Sequence, residues 1–271
     1  ALALAACLFE HGTIDQALDE YEAERKAVVL STQRAAQASL EWFENLAQYV
    51  DQDPLQFAFN IMTRSRRVTY DNLRLRDPEF VERINTWFAD QQGADTAADR
   101  SAPPMFRPFR IGELDLANRI IVSPMDMYSA VDGVPDLFHY VYLGGRALGG
   151  AGLVMTEMVC VSPEGRITPR CTGIWSEDQA VAWRRLTDFV HSYSDAKMGI
   201  QIGHSGRKGS TRVMWEGIDL PLEDGNWDVV GPSALPYRPG VNQVPRELTV
   251  GEMEAIKAEF VGAARRADAA G

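Results

Sequence analysis

The stretch Arg119-Ile-Ile-Val-Ser-Pro-Met-Asp-Met-Tyr128 limits the fold of this chain more than any other. Ile120, Ile121 and Val122 form a short apolar run, with Ser123 at its edge. No polar residue alternates within the run, which suits a parallel strand covered on both faces. The apolar run then stops abruptly, and polar groups gather at its carboxyl end. The same event recurs in Leu153-Val-Met-Thr-Glu157, which ends in Thr156 and Glu157. It recurs again in Met198-Gly-Ile-Gln-Ile-Gly-His204, which carries Gln201 and His204. In α/β folds, chemistry sits just past such strand ends. Three strands that deliver polar groups at the same end predict one site.

Strands are predicted at 119–123, 152–161 and 198–203. A helix is predicted over about 136–148, closed by Gly149-Gly150. Ser176 and Gln179 form a capping box for a helix carrying Val181, Leu186, Phe189 and Val190, and Thr249 and Glu252 cap another with Met253, Ile256, Phe260 and Ala264 on one face. Phe106 to Leu116 reads as a short hairpin able to plug a barrel end. The long Gly- and Pro-rich excursion over 205–247 reads as a functional loop. Alternation of strands and helices implies right-handed parallel crossovers. A doubly wound sheet and a (β/α)8 barrel both satisfy it. No G-x-G-x-x-G follows the first strand, which weakens a dinucleotide-binding Rossmann site. The three delivering strands favour a barrel mouth, and three βα units make only the N-terminal part of a TIM barrel.

The first 90 residues read as all-helical. Gly12 ends an opening helix, and Thr13 with Gln16 caps a long one of about 35 residues running to Val50. By length alone a coiled coil also fits, but no clean heptad of large apolar residues supports it. Pro54 breaks the run, a second helical stretch covers about 55–75, and Asp77-Pro78 caps a third to Phe88. Arg64, Arg66, Arg67, Arg74 and Arg76 cluster on the second stretch, either as a solvated face or as a surface for an anionic ligand. Residues 90–104 carry almost no large apolar group and read as a linker. The predicted organisation is a helical segment over 1–90, a linker over 91–104 and a β/α part over 105–271. Both ends read as cut from something longer.

The formal charge of -11 argues against nucleic acid or an anionic membrane as the main partner. Cys7, Cys160 and Cys171 show no metal-ligand spacing, so no metal site is predicted, and a reduced cytoplasmic setting is the simplest reading. The apolar opening from Ala1 to Phe9 is too short to span a bilayer and lacks a basic n-region.

Met105-Phe-Arg-Pro-Phe-Arg-Ile-Gly112, Asn118-Arg119, Ser123-Pro-Met-Asp-Met-Tyr128, Glu157, Gly165-Arg-Ile167 and Gln201-Ile-Gly-His-Ser-Gly-Arg-Lys208 resemble the old yellow enzyme family in order and spacing. The resemblance implies an FMN-containing TIM barrel that takes hydride from NAD(P)H and passes it to the activated alkene of an enone or an acyl-CoA. Leu18-Asp-Glu-Tyr-Glu-Ala-Glu-Arg25 and Gln33-Arg-Ala-Ala-Gln-Ala-Ser-Leu-Glu-Trp-Phe43 look like the closing helices of an FAD-dependent aromatic hydroxylase. The order of the two pieces is similar to the junction of bifunctional aryl-CoA monooxygenase/reductases of the salicylyl-CoA 5-hydroxylase and anthraniloyl-CoA (2-aminobenzoyl-CoA) type. That likeness implies an aromatic acyl-CoA as small-molecule substrate and FAD in a monooxygenase half; it leaves a homo-oligomer open. Two rival readings are a stand-alone 2,4-dienoyl-CoA-type reductase with a helical leader, and a non-catalytic CoA-binding or assembly platform.

The resemblance sets Ser123, Pro124 and Met125 against the flavin ring. Asp126 stands where the family more often has Thr or Cys, and Met158 where a small Ala is common. An ionised Asp126 would disfavour the electron-rich reduced ring, whereas a protonated one could donate to it. Gln201 both donates and accepts, matching the alternating edge of the flavin pyrimidine, and as a polar amide in an apolar strand it is expected to be buried with a partner. His204 and Arg207 are candidate cations near the ring's polar edge. Arg207 equally suits a scaffold pair with Glu157. Tyr128 either lines the substrate face or packs.

Overall fold

The computed structural model describes residues 1–91 and 103–271. The chain divides into two compact units, 1–101 and 102–271. Most of the predicted linker, residues 92–102, lies outside the described residues.

The first unit is helical: α1 (Leu2–Glu10), α2 (Ile14–Glu44), α3 (Pro54–Thr63), α4 (Tyr70–Arg76) and α5 (Pro78–Gln91). Thr13 caps α2 by accepting the Gln16 N–H at 3.3 Å. The long helix stops at Glu44 rather than at Val50, because the chain tightens into a 3-10 turn over Leu46–Gln48. There Trp42 stacks on Tyr49 with ring centroids 5.0 Å apart. The helix predicted over 55–75 is two helices. Arg66 takes φ 59°, a left-handed conformation that ends a right-handed helix, and Thr69 with Asn72 forms a full capping box that starts α4.

The second unit begins with an antiparallel hairpin, β1 (Phe109–Ile111) with β2 (Leu114–Leu116), as the sequence predicts. Behind it lies a parallel sheet of β3 (Ile121–Val122), β4 (Leu153–Cys160) and β5 (Lys197–Gly203), hydrogen-bonded in that order. β3 is shorter than the predicted 119–123, because Pro124 has no N–H to continue the ladder. The helix predicted at 136–148 is composite: a single α turn, α6 (Leu137–His139), a π-helical turn over Tyr140–Gly144, then α7 (Gly145–Leu148). The extra residue of a π turn shifts the phase of the face, so His139 is fully buried while Leu137 and Val141 are exposed. α8 (Glu177–Tyr193) and a last helix (Val250–Ala269) both start with the predicted capping boxes. α8 lays Trp183, Leu186 and Val190 into the core beside Val154 and Val159 of β4. The loop over 205–247 holds a 3-10 turn, α9 (Met214–Gly217) and a two-residue parallel pair, β6 (Val230–Gly231) with β7 (Arg246–Glu247); the last helix is therefore α10.

Two irregularities position the strand ends. First, Met155 pairs with Gly199 and Met158 with Gln201, so Thr156 and Glu157 together oppose Ile200. This is a bulge, and it lets two consecutive side chains, Thr156 and Glu157, both be buried. Second, β5 supplies glycine beside each large β4 methionine. A Cβ on Gly203 would lie 2.7 Å from Met158 Cγ, and one on Gly199 would strike Met155 Sδ.

Gly203→Val is therefore expected to cost about 1–3 kcal/mol by overpacking. Adding Met158→Ala should recover most of the loss, because it empties the space the valine needs. Urea unfolding of the two single variants and the double variant measures the coupling.

Candidate functional site

Glu157 is 1% exposed, with Thr156 buried before it and Met158 half-buried after it. The bulge turns its carboxylate toward α6, where His139 Nε2 lies 2.8 Å from Oε1. The other oxygen, Oε2, accepts the N–H of Met127 at 2.7 Å. His139 itself is 0% exposed, and its Nδ1 stands 2.9 Å from Asp136 Oδ1. Burial by itself lowers the His139 pKa; hydrogen bonding and charge from Glu157, then from Asp136, outweigh it, and the net pKa is raised. A buried carboxylate without such a partner would cost several kcal/mol. Arg207, the alternative partner for Glu157, instead donates Nη1 to the Leu235 carbonyl at 3.3 Å. The Glu157–Arg207 pair is thus replaced by Glu157–His139. Residue-type reasoning missed His139; its signal was a polar ring on the buried phase of a helix, three residues after the capping Asp136.

The Met127 anchor fixes the segment that follows β3. One residue earlier, Asp126 Oδ1 accepts the Met158 N–H at 3.1 Å. Met158 pairs with Gln201 on β5, so Asp126, Met158 and Gln201 form one row across the three strand ends. Asp126 is exposed as a residue, and partial desolvation of its carboxyl raises its pKa, against the stabilising Met158 N–H. Tyr128 donates its hydroxyl toward Asp126 Oδ2 at 3.4 Å. Its ring is 7% exposed, packs with Cys160, Cys171 and Val213, and sits on a left-handed φ of 48°. Packing, rather than lining an open face, is what its surroundings give. Burial, followed by the charge of Asp126, raises the phenol's pKa.

Gln201 corrects the expectation of a buried, partnered amide. Its main-chain N–H bonds Thr156 Oγ1 at 3.1 Å, but the residue is exposed and its side-chain amide has no partner among the described residues. Beside it Ser123 is exposed, Pro124 and Met158 are half-buried, and Met125 is 45% exposed with its sulfur taking the Tyr142 hydroxyl at 3.3 Å. His204 is half-buried. Its Nδ1 accepts the Gly206 N–H at 3.0 Å, and its Nε2 is buried with no hydrogen-bond partner among the described residues. Burial lowers its pKa, so His204 is neutral at pH 7 and does not supply the cation that its position suggested. Arg207 is exposed.

The row therefore offers a free amide that donates and accepts, a carboxyl that retains a proton more readily than usual, and two thioether side chains as an apolar surface. Such a set suits the edge and face of a planar heterocycle with alternating donors and acceptors. Among the described residues no group of three or more His, Cys, Asp or Glu could hold a metal ion. No helix among them is long and apolar enough to cross a membrane.

The model of the NADH:flavin oxidoreductase / NADH oxidase family matches residues 104–271. An NADH:flavin oxidoreductase of Gibberella zeae is 40% identical over 171 residues, which cover 62% of this chain and 41% of that protein. An NADPH dehydrogenase of Listeria monocytogenes is 38% identical over 169 residues, 62% of this chain and 45% of that protein. Among solved structures, morphinone reductase in complex with tetrahydroNAD superposes with a TM-score of 0.54 at 28% identity, covering 63% of this chain and 47% of that one. The old yellow enzyme homologue from Zymomonas mobilis gives 0.51 at 30% identity, covering 62% and 46%. The chain spans less than half the length of these relatives.

The raised His139 pKa carries a definite pH dependence. Its stabilising contribution is complete below the unfolded value of about 6.5 and is lost as pH rises through the higher folded value. Thermal melts of the wild type should therefore show stability falling with pH in that window. His139→Gln should flatten the slope and cost about 3–5 kcal/mol by leaving Glu157 buried without its partner.

Proposed function

The chain belongs to the NADH:flavin oxidoreductase / NADH oxidase family, and from that premise we propose that its β/α unit holds FMN at the ends of β3, β4 and β5 and serves reduction by NAD(P)H. The observation that carries this reading is the row of Asp126, Met158 and Gln201, with the free amide at one end and Glu157 anchoring the segment beneath. When bound, FMN supplies a carrier that accepts two electrons from a nicotinamide and releases them to an acceptor. Everything else falls to the chain's own groups. Gln201 meets the polar edge of the ring through both atoms of its amide. Met125 and Met158 cover a face and keep water away. Ser123 and Pro124 bring the main chain close to the ring. Asp126, held by Met158 N–H and approached by the Tyr128 hydroxyl, sets the local charge: protonated it donates to the ring, ionised it opposes added electron density. Arg207 and the Arg207-Lys208 turn supply positive charge at the same end. A solved relative that carries tetrahydroNAD supports a nicotinamide as the electron source.

The finer proposal concerns the parent protein. The helical unit, through Leu18–Arg25 and Gln33–Phe43, is read as the end of an FAD-dependent monooxygenase acting on an aromatic acyl-CoA, with the FMN part reducing a substrate or intermediate. The support is the likeness of those two segments and their position ahead of the β/α unit.

The test is flavin extraction from the purified full-length parent protein, followed by chromatographic separation of FMN from FAD, because a chain that spans less than half of its relatives is expected to hold flavin poorly by itself. FMN is the expected component of the β/α part, and FAD in addition is expected of the fusion. Gln201→Leu should weaken FMN binding about five- to tenfold, the equivalent of one hydrogen bond. Asp126→Asn should move the flavin's reduction potential upward if the carboxylate is ionised. A protein that takes up no FMN, or a Gln201→Leu variant with unchanged affinity, would overturn the assignment.

A further inference from the structure

The helical unit carries a charged feature that the flavin reading does not use. α2 and the turn after α3 border an open surface recess of about 700 Å3, lined among others by Arg34, Arg66 and Arg67. An adjoining recess of about 430 Å3 shares Arg66 with it and adds Arg64. Glu41 is the single acid lining either recess, and its carboxylate accepts the Gln37 amide at 3.0 Å. None of the four guanidiniums pairs with a carboxylate among the described residues, in a chain with 38 acidic and 27 basic side chains. Two of them are held in place by neutral groups: Arg67 Nη2 donates to Ser31 Oγ at 3.1 Å and to Thr32 Oγ1 at 3.2 Å, and Arg64 Nε donates to Ser39 Oγ at 2.9 Å. Arg34 and Arg66 have no such tether among the described residues. Arg66 also takes its left-handed φ of 59°, which glycine or asparagine would adopt more cheaply.

Arg34, Arg66 and Arg67 are exposed and Arg64 is half-buried, so water screens their mutual repulsion, and an anion at the recess would turn it into attraction. Arg74 on α4, outside the recesses, pairs with Asp71 at 3.6 Å. Guanidinium forks match phosphate oxygens in pairs, and several forks exceed what one carboxylate can occupy. The recess volume is that of a small-molecule site rather than of a single inorganic ion. We propose that the groove between α2 and the α3–α4 turn binds the phosphate groups of a small molecule bearing a di- or oligophosphate, with Arg34 and Arg66 closing on it and Arg64 and Arg67 as fixed walls. This inference rests on the helical unit alone and is independent of the flavin reading.

The test is calorimetric titration of the 271-residue chain with inorganic pyrophosphate at low ionic strength. Saturable binding is expected, weakening as salt is raised. Arg34→Gln with Arg66→Gln should reduce affinity by at least about tenfold, as expected for losing two charge-assisted contacts. Arg74→Gln with Arg76→Gln, on α4 and outside both recesses, should leave it within about twofold. Far-ultraviolet circular dichroism checks that each variant keeps its helices, and Arg34→Lys with Arg66→Lys provides a gentler pair that should retain part of the binding. Absence of saturable heat, or equal losses in the two glutamine pairs, would overturn the proposal. FMN uptake is unchanged in either case, which separates this result from the flavin assignment.

Discussion

One buried carboxylate organises the strand ends. Glu157 lies inside the protein because His139 Nε2 meets it on one side and the Met127 N–H satisfies it on the other. Charge burial of this kind is unfavourable unless geometry is good on every side. Here it is, and the result is a tie between a strand, a helix and a loop that are distant in sequence. The loop is the one that carries Ser123 through Tyr128. Its shape is therefore set by an interaction beneath it, and the groups on its outer side remain free to meet a ligand.

The irregular elements serve the same end. The β4 bulge lets Glu157 turn inward immediately after the buried Thr156. The π turn over Tyr140–Gly144 follows directly after His139 and changes which residues face the sheet. Gly199 and Gly203 leave room for Met155 and Met158. Met158 is thereby accommodated sideways, over the neighbouring strand, while its N–H stays bonded to Asp126.

Much of this was legible in the residues. Apolar runs with polar tips located all three strands and their common end, and the Ser176 and Thr249 capping boxes located two helix starts. The partners of polar groups were not legible. The sequence offers Arg207 as one possible partner for Glu157, and nothing in it reveals that a bulge points the carboxylate at His139 of α6. Gln201 was expected to be buried, since its strand reads apolar, yet its side chain stands on the open side. His204 looked like a cation by type, and burial removes that charge. The helix predicted over 55–75 broke at Arg66, where left-handed backbone is a tertiary fact rather than a propensity. In each case the sequence specified residue types and spacing, while the decisive variable was the local path of the backbone.

The bulge has a consequence for how β4 reads from one end to the other. A regular strand keeps its odd and even positions on opposite faces throughout its length. Two residues set against one break that parity once, between Met155 and Met158. Positions before the break and positions after it follow opposite rules. Both faces of β4 are covered, but by different neighbours: Val159 packs in the main core, Cys160 in the smaller cluster with Tyr128, Cys171 and Val213. A segment grafted from a regular strand would invert every residue beyond the slip, leaving Cys160 and Val159 to exchange their surroundings.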